Sequence, residues 1–115
     1  MAEKFEVIFT RLRDVMLTAA KGMVINKDVP GGLELRTSAT DPKTKQLGWF
    51  GTVTTKKTYV AYHLMPLYTH PELASKISPE LAKRMQGKTC FNFSKCDEIL
   101  FQELGQLTQA CAKRA

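Results

Sequence analysis

No stretch of this 115-residue chain approaches the roughly 20 consecutive apolar residues that would cross a bilayer, so a membrane-spanning helix is excluded. The first residues carry charge at Glu3, Lys4 and Glu6, with no apolar segment of the kind that forms a secretory signal. Cysteine is scarce: Cys90, Cys96 and Cys111 are odd in number and lack C-x-x-C spacing. That pattern argues against the disulfide framework of a small secreted protein, and a cytoplasmic location is expected. No basic run exceeds two residues, although the net charge is +6. The charge favours anionic partners. Without a stripe or motif to concentrate it, nucleic acid is not expected among them.

Chemistry-bearing motifs are missing too. His63, His70, Cys90 and Cys96 could in principle meet a soft metal, but five residues separate the two cysteines and no paired ligand spacing occurs. Cys90 could pair with His63 as nucleophile and base, with Lys88 lowering the thiol pKa. No orienting carboxylate or oxyanion-hole signature accompanies them, so no catalytic residue, metal or cofactor is assigned. Internal repeats, low-complexity segments and domain boundaries are absent, and residues 1–115 read as one domain.

What is present is a globular composition, 43% hydrophobic and 24% charged, organised around Thr58–Tyr68. Thr58–Leu64 alternates as a strand: Val60, Tyr62 and Leu64 face one way, Tyr59, Ala61 and His63 the other. Pro66 should end it. Before it, residues 3–22 repeat Phe5, Ile8, Phe9, Leu12, Val15, Met16 and Ala19 at helical spacing. Met23–Asp28 and Leu33–Ser38 form a hairpin through Val29-Pro30-Gly31-Gly32, with type II turn chemistry. Leu47–Thr55 is a third strand, turned by Lys56-Lys57 into the fourth. Thr69 to Glu72, with Pro71, starts a short helical turn. Ser78-Pro79-Glu80 opens a helix expected to run to Met85 or Gln86 and stop at Gly87. Lys88–Phe93 is a fifth strand. Ser94 is expected to cap a last helix that buries Leu100, Leu104, Leu107 and Cys111.

The expected fold is therefore α+β: an N-terminal helix, a five-stranded antiparallel sheet, short helices and a C-terminal helix, with both long helices on one sheet face. The covered face should hold Leu33, Leu35, Val60, Tyr62, Leu64, Phe91 and Phe93. The open face should hold Arg36, Tyr59, His63, Lys88, Cys90 and Asn92, while the facing of the third strand stays undetermined. These six residues are the candidate ligand-binding set for a small anionic molecule: Lys88 as cation, His63 and Asn92 as donors, Tyr59 as a stacking wall.

Residues Lys57–Tyr68, Ser78-Pro79-Glu80-Leu81 and Arg84–Phe93 together resemble a branch of the YdhG-like family of small bacterial α/β proteins. The resemblance implies a frataxin-like arrangement of two helices against an antiparallel sheet, and for function it implies intracellular iron delivery. Iron delivery requires clustered carboxylates. Here Glu3, Glu6 and Asp14 share the first helix with four basic residues. A protein-interaction adaptor, using the open face or the Tyr68–Ser75 corner, is the remaining alternative. Oligomeric state is not fixed by these patterns.

Overall fold

The computed structural model describes residues 2–40, 45, 47–87 and 89–114. Helix α1 spans Ala2–Ala19. Its stripe of Ile8, Leu12 and Met16, continued by Ala20 just beyond the helix, is fully or almost fully buried at four-residue spacing, with Phe9 beside it. Strands β1 (Val24–Val29) and β2 (Gly32–Thr40) follow. Their turn places Pro30 and Gly31 at the corners, with Gly31 at φ +78° and Val29 opposite Gly32. That is the type II geometry the residues call for, because only glycine takes the positive φ without strain.

Strand β3 (Leu47–Thr55) pairs with β2, and β4 (Val60–Leu64) pairs with β3. The Lys56 amide donates to the Tyr59 carbonyl at 2.8 Å, so residues 56–59 are the turn between them. Tyr59 thus lies in the turn and not, as its alternation suggested, in the strand. After β4 the chain makes helix α2 (Pro66–Thr69), a 3₁₀ turn (Pro71–Lys76) and helix α3 (Pro79–Ala82) before β5 (Cys90–Phe93) and α4 (Glu98–Arg114). All five strands pair antiparallel in the order β1-β2-β3-β4-β5, a simple meander.

Two boundaries differ from expectation for identifiable reasons. Ser78 does cap α3, accepting from the Leu81 amide at 3.2 Å, but the helix ends at Ala82 instead of Gln86. Residues 84–86 leave it to pair along β5: the Asn92 amide donates to the Arg84 carbonyl and the Gln86 amide to the Cys90 carbonyl. A sheet edge that would otherwise be bare outcompetes three or four more residues of helix. At α4 the cap is Asp97 and not Ser94, its carboxylate accepting from the Leu100 amide at 3.2 Å.

Both long helices lie on the same side of the sheet. Met16 of α1 sits so close to Gly51 of β3 that a Cβ there would come within 2.8 Å of its methyl group and 2.6 Å of the His63 carbonyl. From α4, Thr108 meets the Tyr62 hydroxyl at 2.7 Å. Thr108 donates its own proton to the Leu104 carbonyl at 2.7 Å, which makes Tyr62 the donor of the pair. These are the polar groups of a core otherwise built from Leu33, Leu35, Phe50, Val53, Val60, Leu64, Phe91, Phe93 and the helix stripes. Arg11 of α1 forks onto Glu98 of α4, and Glu103 of α4 accepts from both the Ser78 amide and hydroxyl, tying the short helices to the long one. Among the described residues, no helix is long and apolar enough to cross a membrane.

Candidate functional site on the open sheet face

The sheet face away from the helices follows from strand register. Tyr62 and Leu64 are buried under the helices, so His63 between them points the other way. Thr52 of β3 and Cys90 of β5 pair with His63 from either side, and Asn92 pairs with Ala61. The open face therefore carries Thr52, His63 and Cys90 as one row across three strands, with Ala61 and Asn92 in the next.

Trp49 joins this face through an irregularity. Counting back by twos from the buried Val53 would put Gly51 and Trp49 under the helices. Instead the β2–β3 register slips between Leu35 and Arg36, leaving Phe50 as an extra residue that turns into the core. Beyond the bulge the alternation is reversed, and Trp49 is 46% exposed beside Arg36, its partner on β2. The Arg36 guanidinium lies 3.9 Å from the centroid of the indole ring, within cation–π range. Its Nε also donates to Glu34 at 3.0 Å, with side-chain exposures of 12% and 16% for the pair. The positive charge of Arg36 is thus already met by a carboxylate and an aromatic face.

Between Trp49, Gly51, Thr52, His63 and Met65 lies a recess of about 220 Å³. His63 reaches Thr89 through Nε2 at 3.2 Å, with either group able to donate. Burial lowers the His63 pKa below its ordinary value, which favours the neutral imidazole. Thr89 is held in place by its own carbonyl, which accepts from the Leu64 amide at 2.8 Å.

Cys90, half-buried, donates its thiol proton to Asn92 Oδ1 at 3.6 Å, and Asn92 Nδ2 donates to Gln86 Oε1 at 2.6 Å. Burial raises the Cys90 pKa, and the positive charge of Lys56 only partly opposes it. A thiol in that state is a poor nucleophile. Among the described residues no carboxylate is oriented on His63, so the row has hydrogen-bonding capacity without an acid–base relay.

Of the six expected residues, the structure brings His63, Cys90 and Asn92 together and leaves Arg36 across β3, stacked on Trp49. Tyr59 sits in the β3–β4 turn, four residues from His63, a separation of about 13 Å along an extended chain. Lys88 lies outside the described residues. Sequence alternation missed Trp49, Thr52, Met65 and Thr89. It also gave no reason to include Lys56, whose charge reaches Cys90 from the turn.

Among the described residues, no three His, Cys, Asp or Glu side chains converge as a metal site. The acidic groups near α1 are drawn to arginine instead. Arg13 forks onto Asp28 at 2.5 and 2.9 Å, which holds that carboxyl below its usual range, and lies 3.9 Å from Asp14. A larger hollow, about 900 Å³, opens beside the first turns of α1 and the β1–β2 turn, lined by Phe5, Val7, Phe9, Thr10, Pro30 and Thr55. It is largely apolar, and Arg11, the cation among its described lining residues, is engaged by Glu98. No family model, curated protein or solved structure matches the chain.

Proposed function

We propose that this chain is a cytoplasmic, non-catalytic binding module that holds a small anionic molecule on the open face of its sheet. The observation that carries the reading is the recess formed by Trp49, Thr52, His63 and Met65 on the face that neither long helix covers, in a chain of net charge +6. A protonated thiol and a neutral imidazole favour binding over turnover. Three free cysteines fit a reducing compartment.

The iron delivery implied by the YdhG-like resemblance is less well supported, because hard iron ions want several free carboxylates together. Asp14 and Asp28 instead lie against Arg13, and Glu98 against Arg11. An adaptor role at the Tyr68–Ser75 corner has one observation in its favour: Tyr68 is 66% exposed.

The binding reading is tested by titrating isotopically labelled protein with a panel of metabolite anions and inorganic phosphate while recording amide shifts. Perturbation of Thr52, His63, Thr89 and Cys90 is the expected result. If only amides of α1 and α4 move, the open face is not the site.

A further inference from the structure

We infer that the molecule held on this face carries a flat ring, and that Trp49 is the surface on which the ring stacks. The inference rests on the binding reading above and narrows its ligand to an aromatic acid of one ring or two fused rings.

Trp49 is the only tryptophan in the chain, and it sits on the solvent side of a sheet with nearly half its surface exposed. It is not loose there. Arg36 occupies part of the ring at 3.9 Å and is itself fixed by Glu34, with both charged side chains largely covered. Trp49 lines the recess and Arg36 does not, so the indole serves both the guanidinium and the recess. A ring held in advance costs little conformational entropy when a second ring stacks on it. Met65 supplies the other apolar wall, and thioether sulfur packs favourably against aromatic edges.

Size and polarity limit the occupant further. The recess, about 220 Å³, falls below the roughly 300–1,000 Å³ usual for drug-sized ligands, so it suits one ring system and not an extended chain or a nucleotide. Among the described residues, the Thr52 hydroxyl and the second nitrogen of His63 have no hydrogen-bond partner, and both belong to the recess. They can meet a polar ring edge or a substituent. The neutral imidazole offers a hydrogen bond there without a full charge. Attraction for the acid group then comes from the cationic chain as a whole, which leaves the carboxylate at the mouth, in water.

Because Trp49 is the sole tryptophan, its emission reports this recess and no other hollow. The test titrates the full chain with three probes: benzoate, cyclohexanecarboxylate and inorganic phosphate. Benzoate should change the emission saturably. The saturated ring acid, of equal charge and similar size, should bind about threefold to tenfold more weakly, the share that ring stacking contributes. By calorimetry, Trp49→Leu should lose benzoate binding while circular dichroism shows the fold retained.

Equal binding of benzoate and cyclohexanecarboxylate, or phosphate binding as well as benzoate, would overturn the ring requirement while leaving an anion site on this face. Unchanged benzoate affinity in Trp49→Leu would overturn the stacking role. No saturable response to any probe, by emission or calorimetry, would overturn both the ring inference and the binding reading beneath it.

Discussion

The two faces of one sheet are made from the same strands and are chemically unlike. On β4, Val60, Tyr62 and Leu64 are fully buried under the helices, while His63 between them meets the outer recess. On β5, Phe91 and Phe93 go inward, and Cys90 and Asn92 make a hydrogen-bonded chain on the outside. The inner face resolves its polar contacts within itself, as the Tyr62–Thr108–Leu104 chain does. The outer face leaves Thr52 and one His63 nitrogen unsatisfied among the described residues. Period-two alternation thus divides the work by residue parity: even positions of β4 hold the fold together, and odd ones are free to be selected for recognition.

If that division is real, substitutions on the two faces should separate stability from binding. The largest loss is expected for Phe91→Ala, which removes a fully buried ring from the core. Urea denaturation should show a cost of about 3–5 kcal/mol, a large part of the stability of a domain this size.

Gly51→Ala tests where the faces meet. The added methyl collides with the Met16 methyl, which can move, and with the His63 carbonyl, which cannot without shifting β4. A cost of about 1–3 kcal/mol is expected, together with altered His63 and Thr52 resonances. A neutral Gly51→Ala would mean that β3 and α1 are less tightly apposed.

A comparable loss, about 1–3 kcal/mol, is expected for Thr108→Val, which strands the buried Tyr62 hydroxyl. Adding Tyr62→Phe should recover part of it, since no orphaned donor then remains. Failure of the double variant to recover would locate the cost in packing.

On the outer face, His63→Gln should change stability at neutral pH by less than about 1 kcal/mol, the usual range for partly exposed positions. It should also alter the pH dependence. Burial depresses the folded-state His63 pKa below the ordinary 6.5, so the unfolded chain takes up this proton first. The stability linked to His63 is therefore complete above pH 6.5 and falls as pH drops below it, toward the folded pKa. His63→Gln should flatten that part of the profile. A wild-type profile unaffected by the substitution would mean that the imidazole is well solvated.

Much of the inner face is legible in the residues themselves. Helical spacing in α1 and α4 and alternation in β4 and β5 name their own buried residues, because burial selects apolar side chains at the period of the backbone. The third strand illustrates the limit. Its ends, Leu47 and Thr55, agree with the sequence, but the extra residue at Phe50 reverses the facing of Trp49, and a bulge leaves no compositional mark. Local pattern thus assigns the central aromatic of the candidate site to no face, and puts Tyr59, a turn residue, in its place. The end of α3 and the cap of α4 escape local pattern for a related reason. Pairing of residues 84–86 with β5, and competition between Ser94 and Asp97 for one cap, depend on contacts between segments that such patterns do not encode.

The division between faces is tested most directly by amide and methyl shift mapping of labelled protein with benzoate. Recognition by the outer face requires perturbations centred on Trp49, Thr52, His63 and Met65, with α1 and α4 unmoved. Shifts centred on Phe5, Val7 and Phe9, in the larger apolar hollow beside α1, would place binding on the helical side and contradict it.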